Sequence, residues 1–274
     1  MADRTPTARD LARETIRTRI LDAARARLTD EGPAQLSLRA VARDVGMVSS
    51  ATYRYFPSRD DLLTALLVQD YNELGAAVER ADAAHDRADV GGRWVAACRA
   101  IREWSVAHPG DFALLYGSPV PGYAAPQETI EPATRATLVL VRIALDGTAG
   151  RPGSGPTGAS GPGVAGSGPD AAGPSPGAAG PVVADAVAYI RALGYVEDID
   201  DEVVMRTLMA WTSLFGTVSF ELFGHYVGSV SDHAAYFDLV AERLAADIGF
   251  VAVASGGPSP AVDGADRPQI GAAR

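Results

Sequence analysis

Apolar positions recur at helical spacing along most of the chain, and no stretch alternates in the two-residue rhythm of a strand, so the pattern predicts an all-α protein. Ile16, Ile20, Ala24 and Leu28 stripe a first helix over residues 10–29, with a frayed tail at 1–9 and a stop at Gly32-Pro33. Leu38, Val41, Ala42 and Val45 mark a short second helix, with Ser37 placed to cap its N-terminus. Gly46 stands where a helix C-terminus turns left-handed. A third helix starts at about Val48 or Ser49 and runs to Phe56, where Pro57 stops it. Ser58 caps a fourth, whose first turn holds Asp60 and Asp61 and whose apolar face is Leu63, Leu66, Leu67, Tyr71, Leu74 and Val78. At ~1.5 Å per residue this helix, ending near Ala84, is long enough to leave a small head and enter a second domain.

Later helices follow in the same style. Trp94, Cys98, Ile101, Ser105 and His108 share one face of a helix over 93–108, and 111–116 is a short helical piece. Leu138, Val141 and Leu145 mark another over 132–145. Residues 147–181 then change character, with 12 Gly and 7 Pro in 35 positions and no aromatic residue, which predicts a disordered linker. Helices resume over 182–193, 201–226 and 232–248. The helix over 201–226 has two apolar faces, Val204, Leu208, Trp211, Phe215, Val218 and Leu222 on one and Met205, Met209, Gly216, Phe220 and Phe223 on the other, so it must be covered on all sides. The expected organisation is a helix-turn-helix head over 10–60 on a larger helical body over 61–253, interrupted by the linker, with a disordered tail over 254–274.

Helix, glycine turn, helix is the build of a helix-turn-helix, in which the second helix enters the DNA major groove. That helix is unusually polar: Ser49, Ser50, Thr52, Tyr53, Arg54 and Tyr55 crowd one and a half turns. A merely solvated face more often carries Glu and Lys. Net charge is −10, which argues against a generally basic nucleic-acid binder, yet its distribution is uneven. Residues 1–60 hold 11 Arg against 8 acids, and the remainder holds 13 Arg against 26 acids. A basic head on an acidic body is the expected asymmetry of a DNA-binding module. Lys is absent throughout, so Arg enrichment alone decides little.

Other chemistries are poorly supported. Cys98 is the single cysteine, so an intramolecular disulfide or a cysteine metal cluster is impossible. The four His, at 85, 108, 225 and 233, lack metal-ligand spacing. Gly153–Gly158 and Gly161–Gly166 fit a dinucleotide-loop pattern and Gly173–Gly177 a nucleophile-elbow pattern, but all lie in the linker without the strand and helix these need. An enzyme and a cofactor are therefore not expected. The N-terminus has no apolar signal segment and no continuous apolar run reaches membrane length, so a cytoplasmic protein without membrane contact is expected. A helical protein-interaction module is the other class, and it leaves the helix-turn-helix unexplained.

The run ILDAARARLTDEG and the run LSLRAVARDVGMVSSATYRYFPSRDDLLTALL closely resemble the TetR family of bacterial transcriptional repressors, the Tyr53–Phe56–Pro57–Ser58–Arg59–Asp60–Leu62–Leu63 pattern most specifically. Residues 108–123 and 210–224 resemble a ligand-binding subgroup with a Trp-His-Gly signature, here with Trp211 and Gly216 but Phe215 in place of His. The resemblance implies a homodimer on a roughly palindromic double-stranded operator, released by a small apolar effector, with activation as the alternative outcome. Candidate DNA contacts are Ser37, Arg39, Ser49, Ser50, Ala51, Tyr53, Arg54, Tyr55 and Arg59. Arg39 can read a guanine edge, grip phosphate, or simply be solvated. Ser49, Ser50 and Ala51 open the recognition helix, Tyr53 matches the family's DNA-contacting Tyr, and Arg54, Tyr55 and Arg59 are placed for phosphate. Candidate pocket residues are Trp94, Cys98, Trp104, Phe112, Tyr116, Tyr123, Met205 and Met209, each of a type that ordinary core packing also uses. The implied dimer bundle of the last two helices would present Trp211, Phe215, Val218, Leu222, Phe237, Val240 and Leu244.

Overall fold

The structure, a computed structural model, describes residues 7–148, 179–194 and 200–250. Among them the chain forms ten α-helices, two short 3₁₀ turns and no strand. The head is α1 (Ala8–Glu31), α2 (Leu38–Asp44) and α3 (Ser49–Thr52), with a 3₁₀ turn at Pro33–Gln35. The body is α4 (Arg59–Ala83), α5 (Val90–Ala107), α6 (Pro109–Tyr116), α7 (Ile130–Thr148), α8 (Ala179–Ala192), α9 (Asp201–Leu222) and α10 (His233–Ile248), with a second 3₁₀ turn at Gln127–Thr129.

Local chemistry sets the ends of these helices. Thr7 and Asp10 form a reciprocal capping box, the Thr7 N–H donating to the Asp10 carboxylate at 3.0 Å and the Asp10 N–H to the Thr7 hydroxyl at 3.3 Å, so α1 begins two residues before the expected start. Ser58 caps α4 as expected, accepting from the Asp61 N–H at 3.1 Å. Ser37 occupies the cap position of α2, but its hydroxyl accepts no hydrogen bond there. α2 stops at a glycine in left-handed backbone: Gly46 has φ +70°, its N–H reaches the Arg43 carbonyl, and the Met47 N–H reaches the Ala42 carbonyl at 2.8 Å. α3 is one turn rather than the two expected, ending at Thr52. The chain tightens instead into a turn in which the Tyr55 and Phe56 N–H groups both donate to the Thr52 carbonyl. α9 likewise ends at Leu222 rather than near Tyr226, at a turn closed by the His225 N–H on the Phe220 carbonyl. Gly147 and Thr148 belong to α7, and residues 179–181 to α8, so the expected linker loses both ends to helices. Its middle, and the tail over 254–274, lie outside the described residues.

Two main cores result. Ile20, Leu28, Val41, Phe56, Leu62 and Leu66 pack the head. Leu74, Trp94, Ile101, Phe112, Leu214 and Phe237 pack the body. Burying side chains of this kind contributes about 1.5–3 kcal/mol each relative to exposure. A smaller cluster of Val141, Val183, Val187, Ile190 and Val204 seats α8. α4 runs without a break from one core into the other, packing on α1 in the head and most extensively on α7 and α5 in the body. α9 is long and apolar enough to cross a membrane by composition, but it packs against α7, α8 and α10.

α6 meets the head at a point that excludes any side chain. A Cβ on Gly110 would lie 2.6 Å from the Thr29 backbone nitrogen and 2.8 Å from the Leu28 carbonyl carbon, so the start of α6 rests directly on the end of α1. Gly110→Ala must push the two helices apart. The expected cost is about 1–3 kcal/mol, read as a lower urea midpoint at unchanged slope.

Candidate nucleic-acid interface and apolar cavity

The head presents one face free of internal commitments. Arg39 on α2, Ser50 on α3, and Tyr53 and Arg54 in the turn that follows are exposed. Ser37 is exposed beside them, and Ser49 and Ala51 are half-buried. Thr52 faces the opposite way and is fully buried, so the polar run around α3 is not uniformly outward. Tyr55 also turns inward, packing on the head core with the Arg13 guanidinium 5.9 Å from its ring centre. The Arg17 guanidinium lies 4.6 Å from the ring centre of buried Phe56, which ties the turn after α3 to α1. Arg27 on α1 pairs with Asp44 at the end of α2 and with Glu31, bracing the motif's first helix.

Arg59 has a different place from the one expected of a phosphate contact. Its guanidinium donates to the carbonyls of Leu36 at 2.9 Å and of Pro33 and Ala34 at 3.2 Å. The Pro33 carbonyl also takes the Leu36 N–H at 3.4 Å, and Arg59 adds a second partner there and reaches Ala34 and Leu36 from the first turn of α4.

Between head and body lies a charged cluster on three helices. Arg25 of α1 contacts Asp70 of α4, pairs with Glu73 at 2.8 Å, and stands 3.7 Å from Asp111 of α6. Asp70 is fully buried, and one oxygen each of Asp70 and Asp111 has no hydrogen-bond partner. Burial, with the Asp111 charge beside it, pushes the Asp70 carboxyl up to about 7, an effect the Arg25 guanidinium only partly offsets. Burial raises the Asp111 carboxyl as well.

The body contains an apolar cavity of about 510 Å³. Tyr71 of α4 and Leu115 and Tyr116 of α6 form one part of its wall. α7 contributes Thr134, Thr137, Leu138 and Val141, α8 contributes Ala186, Tyr189 and Ile190, and α9 contributes Val204, Leu208 and Trp211. The Tyr116 ring is the centre of an aromatic run, 4.3 Å from Phe215, 5.3 Å from Phe112 and edge-on to Tyr71 at 6.1 Å.

Of the pocket residues expected from sequence, Tyr116 lines this cavity. Trp94, Cys98 and Phe112 are fully buried core. Trp94 donates from its indole to the Ala241 carbonyl at 2.9 Å, fastening α5 to α10, and burial raises the Cys98 thiol far above its ordinary range. Trp104 stacks on His108 beside a separate hollow against α4. Tyr123 sits at the head, its hydroxyl 2.9 Å from that of Thr64. Met205 packs beside the α8 cluster, and Met209 is 49% exposed. Several residues expected at the dimer bundle are engaged within the subunit. Phe215, Val218 and Phe237 are buried in the subunit's own core, Trp211 lines the cavity, and Leu222, Val240 and Leu244 are half-buried. The outward stripe is Met209, Phe220 and Phe223 on α9, with Tyr236 and Leu239 on α10. When both faces of a helix are apolar, periodicity locates the faces and not which one is covered. The residues that sequence reasoning missed, Tyr71, Thr137, Leu138, Tyr189 and Leu208, come from four separate helices whose convergence no local pattern records.

A short helix-turn-helix carried on a longer helical body defines a DNA-binding regulator. Residues 20–66 match the family model of bacterial regulatory proteins of the tetR family, and residues 94–244 match a tetracyclin repressor-like C-terminal domain. The HTH-type transcriptional regulators Rv1816 of Mycobacterium tuberculosis and Mb1846 of Mycobacterium bovis are each 38% identical over 242 residues, 86% of this chain and 93% of theirs. Among solved structures, the regulatory protein SCO4313 superposes with a TM-score of 0.63 at 27% identity, over 87% of this chain and 98% of its own. A tetR-family regulator from Streptomyces coelicolor superposes with a TM-score of 0.53 at 15% identity, over 85% of this chain and 80% of its own, which speaks to the fold. The chain belongs to the TetR family of transcriptional regulators, and its class is DNA-binding regulator rather than enzyme.

The charged cluster makes stability depend on pH in a definite direction. Asp70 holds its proton more tightly folded than unfolded, so stability should fall as pH rises from about 4 to about 7. Asp70→Asn should flatten that fall in urea unfolding followed across the same range. An equal slope in both proteins would place the titration elsewhere.

Proposed function

We propose that this chain is a ligand-responsive repressor that binds a roughly two-fold symmetric operator as a homodimer and is released by a small apolar effector. The observation that carries the DNA half is the outward group of Arg39, Ser50, Tyr53 and Arg54 around a one-turn helix whose inward side, Thr52 and Phe56, is locked into the head. Ser49 and Ala51 open the same helix and allow a close approach to base edges. Ser37 has a hydroxyl unused in capping and suits a phosphate. Tyr55 and Arg59 then serve mainly to hold the motif together. The likeness to the HTH-type transcriptional repressor LfrR of Mycolicibacterium smegmatis, 44% over 77 residues and 28% of this chain, favours repression over activation.

The dimer face is the stripe of Met209, Phe220 and Phe223 with Tyr236 and Leu239, which brings α9 and α10 of two copies into one bundle. The pair of heads must then meet successive major grooves, about one helical turn (~34–36 Å) or a multiple apart. The cavity touches α4 and α6, the two helices that also contact the head. An effector acts by binding better to a body shape in which the heads are wrongly spaced, and weakens DNA binding only by that difference. Such a regulator works in the cytoplasm.

Genomic fragments retained by the protein at low salt would supply the operator. Tyr53→Ala should weaken binding to it at least tenfold while leaving a folded dimer, with a steep salt dependence in the wild type. Retention of no genomic fragment would sink the DNA reading. Leu239→Asp should shift sedimentation from dimer towards monomer and lower operator affinity with it. A dimer untouched by that substitution would place the interface on another face.

A further inference from the structure

From the chemistry of the cavity wall we infer that the effector is a neutral molecule with a planar aromatic ring and one or two uncharged polar groups. The inference rests on reading this cavity as the effector site. Among the described residues, no Asp, Glu, Arg or His side chain lines it. An ionic ligand would lose its hydration there without gaining a counter-charge, a loss that a few hydroxyls do not repair. The apolar wall is aromatic to an unusual degree: Tyr71, Tyr116, Tyr189 and Trp211 all reach it. Tyr116 and Trp211 are joined through Phe215, whose ring lies 4.3 Å from the first and 6.0 Å from the second. Flat rings packed on such a wall gain edge and face contacts that an aliphatic chain does not. The volume of about 510 Å³ lies inside the ~300–1,000 Å³ range of small-molecule sites.

Polar partners are few and uncharged. The Thr134 hydroxyl donates to the Glu131 carbonyl at 2.9 Å and stands 3.4 Å from the Tyr189 hydroxyl. Thr137 adds a second threonine hydroxyl one helical turn further along α7. Burial raises the Tyr116 phenol far above its ordinary range, so it stays neutral at any physiological pH. Hydroxyls both donate and accept, which suits a carbonyl, ether or phenol oxygen and gives nothing to a carboxylate or an ammonium group in particular.

Two probes that differ by one charged group test this directly. N-phenyl-1-naphthylamine is neutral, and 1-anilinonaphthalene-8-sulfonate is the same skeleton with a sulfonate. Fluorescence titration of the full-length dimer should show the neutral probe binding at least tenfold more tightly. Ala186→Trp, which fills the cavity from α8, should abolish that binding while leaving the helical content and thermal midpoint near those of the wild type. If that variant does not fold, Thr137→Phe fills the cavity from α7 and carries the same expectation. Equal affinity for both probes, no binding of the neutral probe to the wild type, or undiminished binding to a folded cavity-filled variant would each overturn the inference. Operator release by the neutral probe is scored separately. A probe that binds in the cavity and leaves DNA bound upholds the ligand class and contradicts the release reading.

Discussion

One helix has to satisfy two hydrophobic cores at once. The first half of α4 buries Leu62, Leu63 and Leu66 in the head, and its second half buries Leu74 and Val78 in the body. Between these halves sits Asp70, a buried carboxylate held by Arg25 from α1. Head and body therefore cannot slide or twist against each other without disturbing α4, and a change in its tilt is felt at both ends. Removing either partner of the Arg25–Asp70 contact would leave the other buried with less compensation, which is costlier than losing a surface pair.

α6 gives the same junction a second attachment. It starts on the end of α1, where only a glycine fits, and finishes at Tyr116 on the cavity wall. Tyr71 brings α4 to the same wall. A molecule filling the cavity thus touches α4 and α6, two body helices that also pack on α1 of the head. The recognition turn, by contrast, depends little on the body. It is fixed by Gly46, by the buried Thr52 and Phe56, and by Arg17 lying over the Phe56 ring.

Much of this was legible in sequence, and for identifiable reasons. Helix positions follow from apolar spacing, and the ends fixed by Gly46 and Ser58 were visible because those residues act on their own backbone. The ends that moved were set by interactions with neighbours, such as the Thr7–Asp10 box, or fell in Gly/Pro-rich sequence that tolerates a helical turn. The helix-turn-helix could be read because its chemistry is contiguous. The cavity could not, because its wall is assembled from α4, α6, α7, α8 and α9, and large apolar residues such as Trp94 and Phe112 look the same whether they line a cavity or fill a core. Arg59 shows the same limit on a small scale. Next to a recognition helix an arginine suggests phosphate, and only the fold reveals three backbone carbonyls within its reach.

The central claim is that α4 carries a change in the body to the spacing of the heads. It is tested most directly by electron–electron distance measurement between two copies spin-labelled at Arg43→Cys. That position is exposed on α2, and the native Cys98 is buried and stays unlabelled. With operator bound, the account predicts one narrow distance. Adding a ligand that fills the cavity and releases DNA should replace it with a second, resolved distance. Release of DNA with an unchanged distance distribution would contradict the account and mean that the ligand acts without moving the heads.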